Sequence, residues 1–116
     1  MELEIKKLAA FDCDLRNWKP DAPGAWLDVT VGVGVAGEDG LNWFNVTVAS
    51  EEAAALRGEV GSRKGLLVCR EVTGGESVRE ALQHVVRSCT APSWKESVQL
   101  LCRFFDWEYE DYQDAG

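Results

Sequence analysis

Between Ala25 and Val35 every odd position from Leu27 onward is aliphatic (Leu27, Val29, Val31, Val33, Val35), while Asp28, Thr30, Gly32 and Gly34 fill the even positions. A period of two sends alternate side chains to opposite faces of an extended chain, so this segment predicts a strand with one face against a core. Gly37-Glu38-Asp39-Gly40 follows and ends in an Asp-Gly dipeptide, which tolerates positive φ. Leu41 to Ala49 then resumes an extended β-branched and aromatic pattern. The two strands and the turn between them predict a β-hairpin.

The remaining segments are read around that hairpin. Glu2-Leu3-Glu4-Ile5-Lys6 alternates and predicts a short first strand, and Asp12 through Gly24, with Asn17, Pro20 and Pro23, predicts a loop. Ser50-Glu51-Glu52-Ala53-Ala54-Ala55-Leu56 has a capping serine and early acids, which suit a short helix ending by Gly58. Gly61 to Gly65 reads as a basic turn and Leu66 to Val72 as a fourth strand. Ser77-Val78-Arg79-Glu80 and Ser93-Trp94-Lys95-Glu96 are both S-x-x-E capping boxes, each opening a helix. The first helix carries the stripe Val78, Leu82, Val85, Val86 and Cys89; the second carries Trp94, Val98, Leu101, Cys102 and Phe105. Pro92 leaves only a short connection, so the two helices are expected to be antiparallel neighbours. A last strand is expected from Trp107 to Tyr112. The expected architecture is α+β: an antiparallel sheet of about five strands with two antiparallel helices packed on one face. At 116 residues and 46% hydrophobic, the chain is expected to form a single domain over residues 1–116.

Charge narrows the function classes. Twenty acidic residues against twelve basic give a formal net charge of -8, which repels phosphate backbones and anionic membranes and attracts basic proteins. Nucleic acid and membrane are therefore not expected as partners. Neither a secretory signal pattern nor an apolar run of membrane-spanning length occurs, so the expected location is cytoplasmic. Cys13, Cys69, Cys89 and Cys102 lie far apart with no C-x-x-C pair; reduced, buried thiols are expected, with no metal and no cofactor.

Three motifs fail on context. Gly32-Val33-Gly34-Val35-Ala36-Gly37 spells G-x-G-x-x-G, but a turn and another strand follow where a dinucleotide site needs a helix. The glycines are read as hairpin geometry, or as room for something lying across the sheet. Asn45-Val46-Thr47 is a glycosylation sequon inside a predicted strand. His84 falls beside the apolar stripe of its helix, where a surface imidazole is expected. H-E-x-x-H, G-x-S-x-G and P-loop patterns are all absent.

What remains is acidic and aromatic. From Phe104 to Tyr112 every residue is one or the other, and Asp106, Glu108 and Glu110 share a strand parity that spaces them about 7 Å apart. No basic residue follows Arg103, so these acids, with Asp111 and Asp114, look locally uncompensated. Of the five tryptophans, Trp94 and Trp107 fit core positions. Trp26 lies opposite the apolar parity of its strand and is the best candidate for an exposed anchor; Trp43 is ambiguous.

Asn42-Trp43-Phe44-Asn45-Val46-Thr47-Val48, Ser93-Trp94-Lys95-Glu96 and above all Trp107-Glu108-Tyr109-Glu110-Asp111-Tyr112, in this order of elements, resemble the immunity protein 8 family of bacterial polymorphic toxin systems. That family's pattern has an F-x-V-x-V strand after the hairpin, a Trp-containing capped helix and a terminal W-E-(F/Y)-E-D-Y. The chain departs from it at Ala49-Ser50-Glu51, where the family tends to carry a Cys-Thr-Pro turn. The resemblance implies a small cytosolic α+β protein that binds and neutralises a cognate toxin and has no activity of its own.

Together these readings give an immunity protein that occludes a toxin's active site with an acidic and aromatic surface; a nuclease with a basic cleft would fit the charge. The candidate contacts are Trp26, Glu38, Asp39, Asp106, Glu108, Glu110, Asp111, Tyr112 and Asp114. Two rivals stand beside this reading: a carboxylate-based hydrolase using Glu108 and Glu110, and a homodimer subunit that buries Trp26 and Trp43. Sequence leaves the oligomeric state open.

Overall fold

A computed structural model of the chain describes residues 2–11, 13–20 and 24–107. The alternating segment forms strand β2 (Trp26–Val35), flanked antiparallel by β1 (Leu3–Ala10) and β3 (Asn42–Ser50). Register sets Leu27, Val29 and Val31 opposite Val48, Val46 and Phe44. Odd residues of β2 and even residues of β3 therefore share one face, and the six side chains just named are buried. Removing each from water contributes about 1.5–3 kcal/mol, which is why the hairpin anchors the core.

The period of two in β1 holds only as far as Ile5. A register shift between Ile5 and Lys7 marks Lys6 as an inserted bulge residue. Parity then changes, so Leu8 and Ala10 join Leu3 and Ile5 against the same core cluster.

After β3, Ser50 caps helix α1 (Glu51–Leu56), its Oγ accepting from the Ala53 N–H at 3.3 Å. The chain then returns as β4 (Leu66–Cys69), paired parallel to β3 with Thr47 opposite Leu66 and Ser50 opposite Cys69. The expected all-antiparallel sheet is corrected here, because α1 and the loop after it form a crossover instead of a hairpin. The strand is also shorter than Leu66 to Val72, although Val72 itself is buried in the core. By parity Ala49 and Leu66 lie on the second face, where they form a smaller cluster with Ala54 of α1.

Helix α2 (Gly75–Ser88) buries Val78, Leu82, Val85 and Val86 as its stripe predicts, but it starts before the expected cap. Gly74 occupies the cap position and Ser77 sits in the first turn. There the Ser77 Oγ accepts from the N–H groups of Thr73 (2.9 Å) and Gly74 (3.2 Å) and donates to the Gly74 carbonyl (2.9 Å). Helix α3 (Trp94–Leu101) does begin where its box predicts, with the Ser93 Oγ accepting from the Glu96 N–H at 3.2 Å. Strand β5 (Asp106–Trp107) closes the described chain, antiparallel to β3, with Phe44 opposite Trp107 and Asn45 opposite Asp106. It starts one residue earlier than expected, and the rest of the segment to Tyr112 lies outside the described residues. The fold is thus α+β, with a five-stranded, mostly antiparallel sheet and three helices among the described residues, one more than the two counted into the expected architecture.

Candidate functional site

The second face of the sheet carries the even residues of β2 and the odd residues of β3. Its two glycines explain its shape. A Cβ at Gly32 would lie 3.2 Å from both methyls of Leu41 and 3.3 Å from the Trp43 ring; one at Gly34 would lie 2.5 Å from the Gly40 carbonyl oxygen and 3.0 Å from Lys6 Cε. The β2–β3 turn therefore folds back onto its own sheet, and Trp43 is half-buried across it. This is the hairpin geometry expected of the glycine doublet, and the object lying across the sheet is the turn itself.

The bulge residue Lys6 pins that turn. Its Nζ donates to the Glu38 carbonyl at 2.7 Å and pairs with the Glu4 carboxylate at 3.0 Å. Glu38 and Asp39 stand exposed at the tip, and neither forms an ion pair among the described residues. With Gly34, Val35, Leu41, Asn42 and the half-buried Trp94 at the start of α3, they line a cavity of about 460 Å³. Leu41, Trp94 and Lys6 were not among the sequence candidates. The glycine doublet was the signal that could have found Leu41, since two bare strand positions on one face must be covered by something.

Trp26 is corrected as an exposed anchor. It is half-buried against the Ala49, Ala54 and Leu66 cluster, and the Arg57 guanidinium lies 4.2 Å from its ring centroid. Asp106 is exposed as expected, and it forms no ion pair among the described residues. Its carboxylate lies over Gly65, where a Cβ would come within 2.7 Å of Oδ2, and its charge helps to keep Arg63 protonated. Arg63 is held chiefly by Glu59, with Nη2 to Oε1 at 2.9 Å and Nε to Oε2 at 3.2 Å. The same hydrogen bonds hold the Glu59 carboxyl below its ordinary range. Glu108, Glu110, Asp111, Tyr112 and Asp114 lie outside the described residues. The structure thus brings together Glu38 and Asp39, and places Trp26 and Asp106 apart from them, Trp26 under the Arg57 guanidinium and Asp106 over Gly65.

Trp107 and Trp94 both pack against the main core, and Trp107 stacks on Phe44 with centroids 6.3 Å apart and planes 22° apart. His84 is exposed on α2 in a groove with Glu76, Arg79, Glu80, Gln83 and Arg87. Cys89 is buried and Cys69 half-buried, and burial pushes both thiols up; Cys13 is exposed, against the expectation that all four thiols are buried. Among the described residues no group of three or more His, Cys, Asp or Glu side chains is disposed to hold a metal ion, and no helix is long and apolar enough to cross a membrane.

These features define a small α+β domain whose concentrated surface chemistry is exposed carboxylate beside half-buried indole. The family model described as immunity protein 8 matches residues 3–112, and the chain belongs to that family. No curated protein and no solved structure matches it. Membership supports an immunity role and implies a non-enzymatic inhibitor with a toxin as partner.

Proposed function

We propose that this chain binds a cognate bacterial toxin domain of a polymorphic toxin system in the cytoplasm and covers its active site with the sheet end that carries Glu38 and Asp39. The observation that carries the reading is the turn itself: two exposed carboxylates without an ion pair among the described residues, held out by Lys6 and the glycine-seated backbone beside Trp94. Strand β5 runs antiparallel to β3, so at Trp107 the chain is directed toward this same turn. We assign the acids Glu108, Glu110, Asp111 and Asp114 and the ring of Tyr112 to the same contact, with Asp106 at its margin. A net charge of -8 steers such a surface toward a basic cleft, which favours a nuclease as the toxin.

The test is protection. Cells expressing the cognate toxin domain should survive when the chain is co-expressed and die without it. Stopped-flow association should slow as salt rises, because exposed charges are screened over about 8 Å at physiological ionic strength. Loss of protection would overturn the function; a salt-independent on-rate would overturn the steering.

A further inference from the structure

The cavity at the hairpin end has two kinds of wall. Leu41, Val35 and the half-buried Trp94 supply apolar and aromatic surface, and Glu38 and Asp39 supply carboxylates at the rim. Lys6 reaches this turn but is engaged by the Glu4 carboxylate and the Glu38 carbonyl, and neither rim side chain forms an ion pair among the described residues, which leaves both to an outside charge. A side chain that fits both walls needs an apolar stem, a flat face to lie on an indole and a cation with several donors. Arginine meets all three demands: its guanidinium stacks on aromatic rings and pairs with carboxylates through two parallel hydrogen bonds. Lysine offers the stem and the charge but neither the plane nor the paired donors.

We propose that this cavity is an arginine-binding site, and that it receives an arginine side chain projecting from the toxin's surface. The proposal rests on the toxin-binding reading above and gives it a specific anchor. Charge complementarity selects the occupant: a chain with twenty acidic and twelve basic residues presents, in this cavity, carboxylates that no described cation neutralises. The turn is already fixed by Lys6 and by its close seat on Gly34, so the site is formed before the partner arrives and little ordering is needed on binding.

The experiment uses the full chain and does not need the toxin. Nitrogen-15 labelled protein is titrated with N-acetyl-L-arginine methylamide and, in parallel, with the uncharged citrulline analogue. The Trp94 indole N–H and the amides of residues 38–41 should shift saturably with the arginine compound, and about threefold more than with citrulline at equal concentration. The E38Q/D39N double variant, altered only at exposed turn positions, should keep the rest of its spectrum and lose the difference between the two compounds. Equal shifts from both compounds, or a response unchanged in E38Q/D39N, would overturn the site. Protection assays separate the two readings: a wild-type chain that protects cells while the titration stays flat defeats the arginine site alone, and one that binds the arginine compound but fails to protect defeats the toxin-binding reading.

Discussion

Replacing Gly34 by alanine probes whether the turn bearing Glu38 and Asp39 owes its seat to a missing side chain. The new Cβ would lie 2.5 Å from the Gly40 carbonyl oxygen and 3.0 Å from Lys6 Cε. The first of these is backbone, so no rotamer change relieves it, and the turn must lift. Overpacking of this kind costs roughly 1–3 kcal/mol. Alanine's smaller unfolded-state entropy offsets about 0.4–1 kcal/mol, leaving a net loss of about 1.3 kcal/mol at the centres of the two ranges. Gly32→Ala is the matched control on the same strand and face. Its nearest atoms, the Leu41 methyls at 3.2 Å and the Trp43 ring at 3.3 Å, all belong to side chains that can move a few tenths of an ångström. Stability there should stay within about 0.5 kcal/mol of wild type. Urea unfolding followed by tryptophan fluorescence, compared at constant m, measures both variants. Wild-type stability in G34A, or a larger loss in G32A than in G34A, would refute the account of how the turn is held.

Three further outcomes can be checked on the isolated protein. Ser50 is buried and its Oγ accepts from the N–H groups of both Ala25 (3.1 Å) and Ala53 (3.3 Å), so S50A should lose about 1–3 kcal/mol in urea unfolding; an unchanged midpoint would contradict this double role. Cys13 should be alkylated well before Cys89, whose thiol is buried and raised by that burial, when modification is followed by peptide mass spectrometry; equal rates would refute the burial assignment. Glu59 has its folded pKa held below its unfolded value by Arg63, so its contribution is present above the unfolded pKa and is lost as pH falls through the folded one. Between wild type and E59Q, the difference in urea midpoint should therefore shrink below about pH 4.3, and a constant difference would contradict the pairing.

What the sequence disclosed about the fold was whatever depends on near neighbours. Alternation in β2, the Asp-Gly turn, the α1 segment and the Ser93 box are local signals, and each element formed where its signal lies. The direction of β4 is not local. Leu66 to Cys69 reads as a strand whether it returns antiparallel or crosses over, and the parallel pairing comes with a crossover whose helix packs Ala54 on Ala49 and Leu66. Ser77 failed as a cap signal because Gly74 is extended and lets the helix begin earlier, so the serine serves the first turn from inside it. The site followed the same division. Exposure of Glu38 and Asp39 follows from their turn, whereas Trp26 meets Arg57 and the Ala49, Ala54 and Leu66 cluster, and Asp106 lies over Gly65, contacts that close only in three dimensions.

The acids then sort by what they already hold. Glu4 is tied to Lys6, Glu59 to Arg63, Asp28 accepts from the Thr47 hydroxyl, and Asp106 shares the field of Arg63. An outside cation that approaches any of these competes with a charge or donor already in place. Glu38 and Asp39 carry no such competitor among the described residues, a property they share with Glu2, Glu51, Glu52, Glu71, Glu76, Glu80 and Glu96; what sets the pair apart is that both line one cavity with Trp94 while Lys6 anchors the Glu38 backbone. The terminal motif divides similarly: Trp107 stacks on Phe44, which in turn lies 6.1 Å from Phe105, so this part of the motif holds β5 to β3, each ring pair contributing about 0.5–1.5 kcal/mol beyond its burial. Family resemblance at Trp107 is therefore a statement about the fold, while carboxylates without an internal cation are free to serve recognition. It follows that E38Q/D39N should slow association with the toxin and leave unfolding unchanged, whereas W107A should lower stability first and protection only as a consequence.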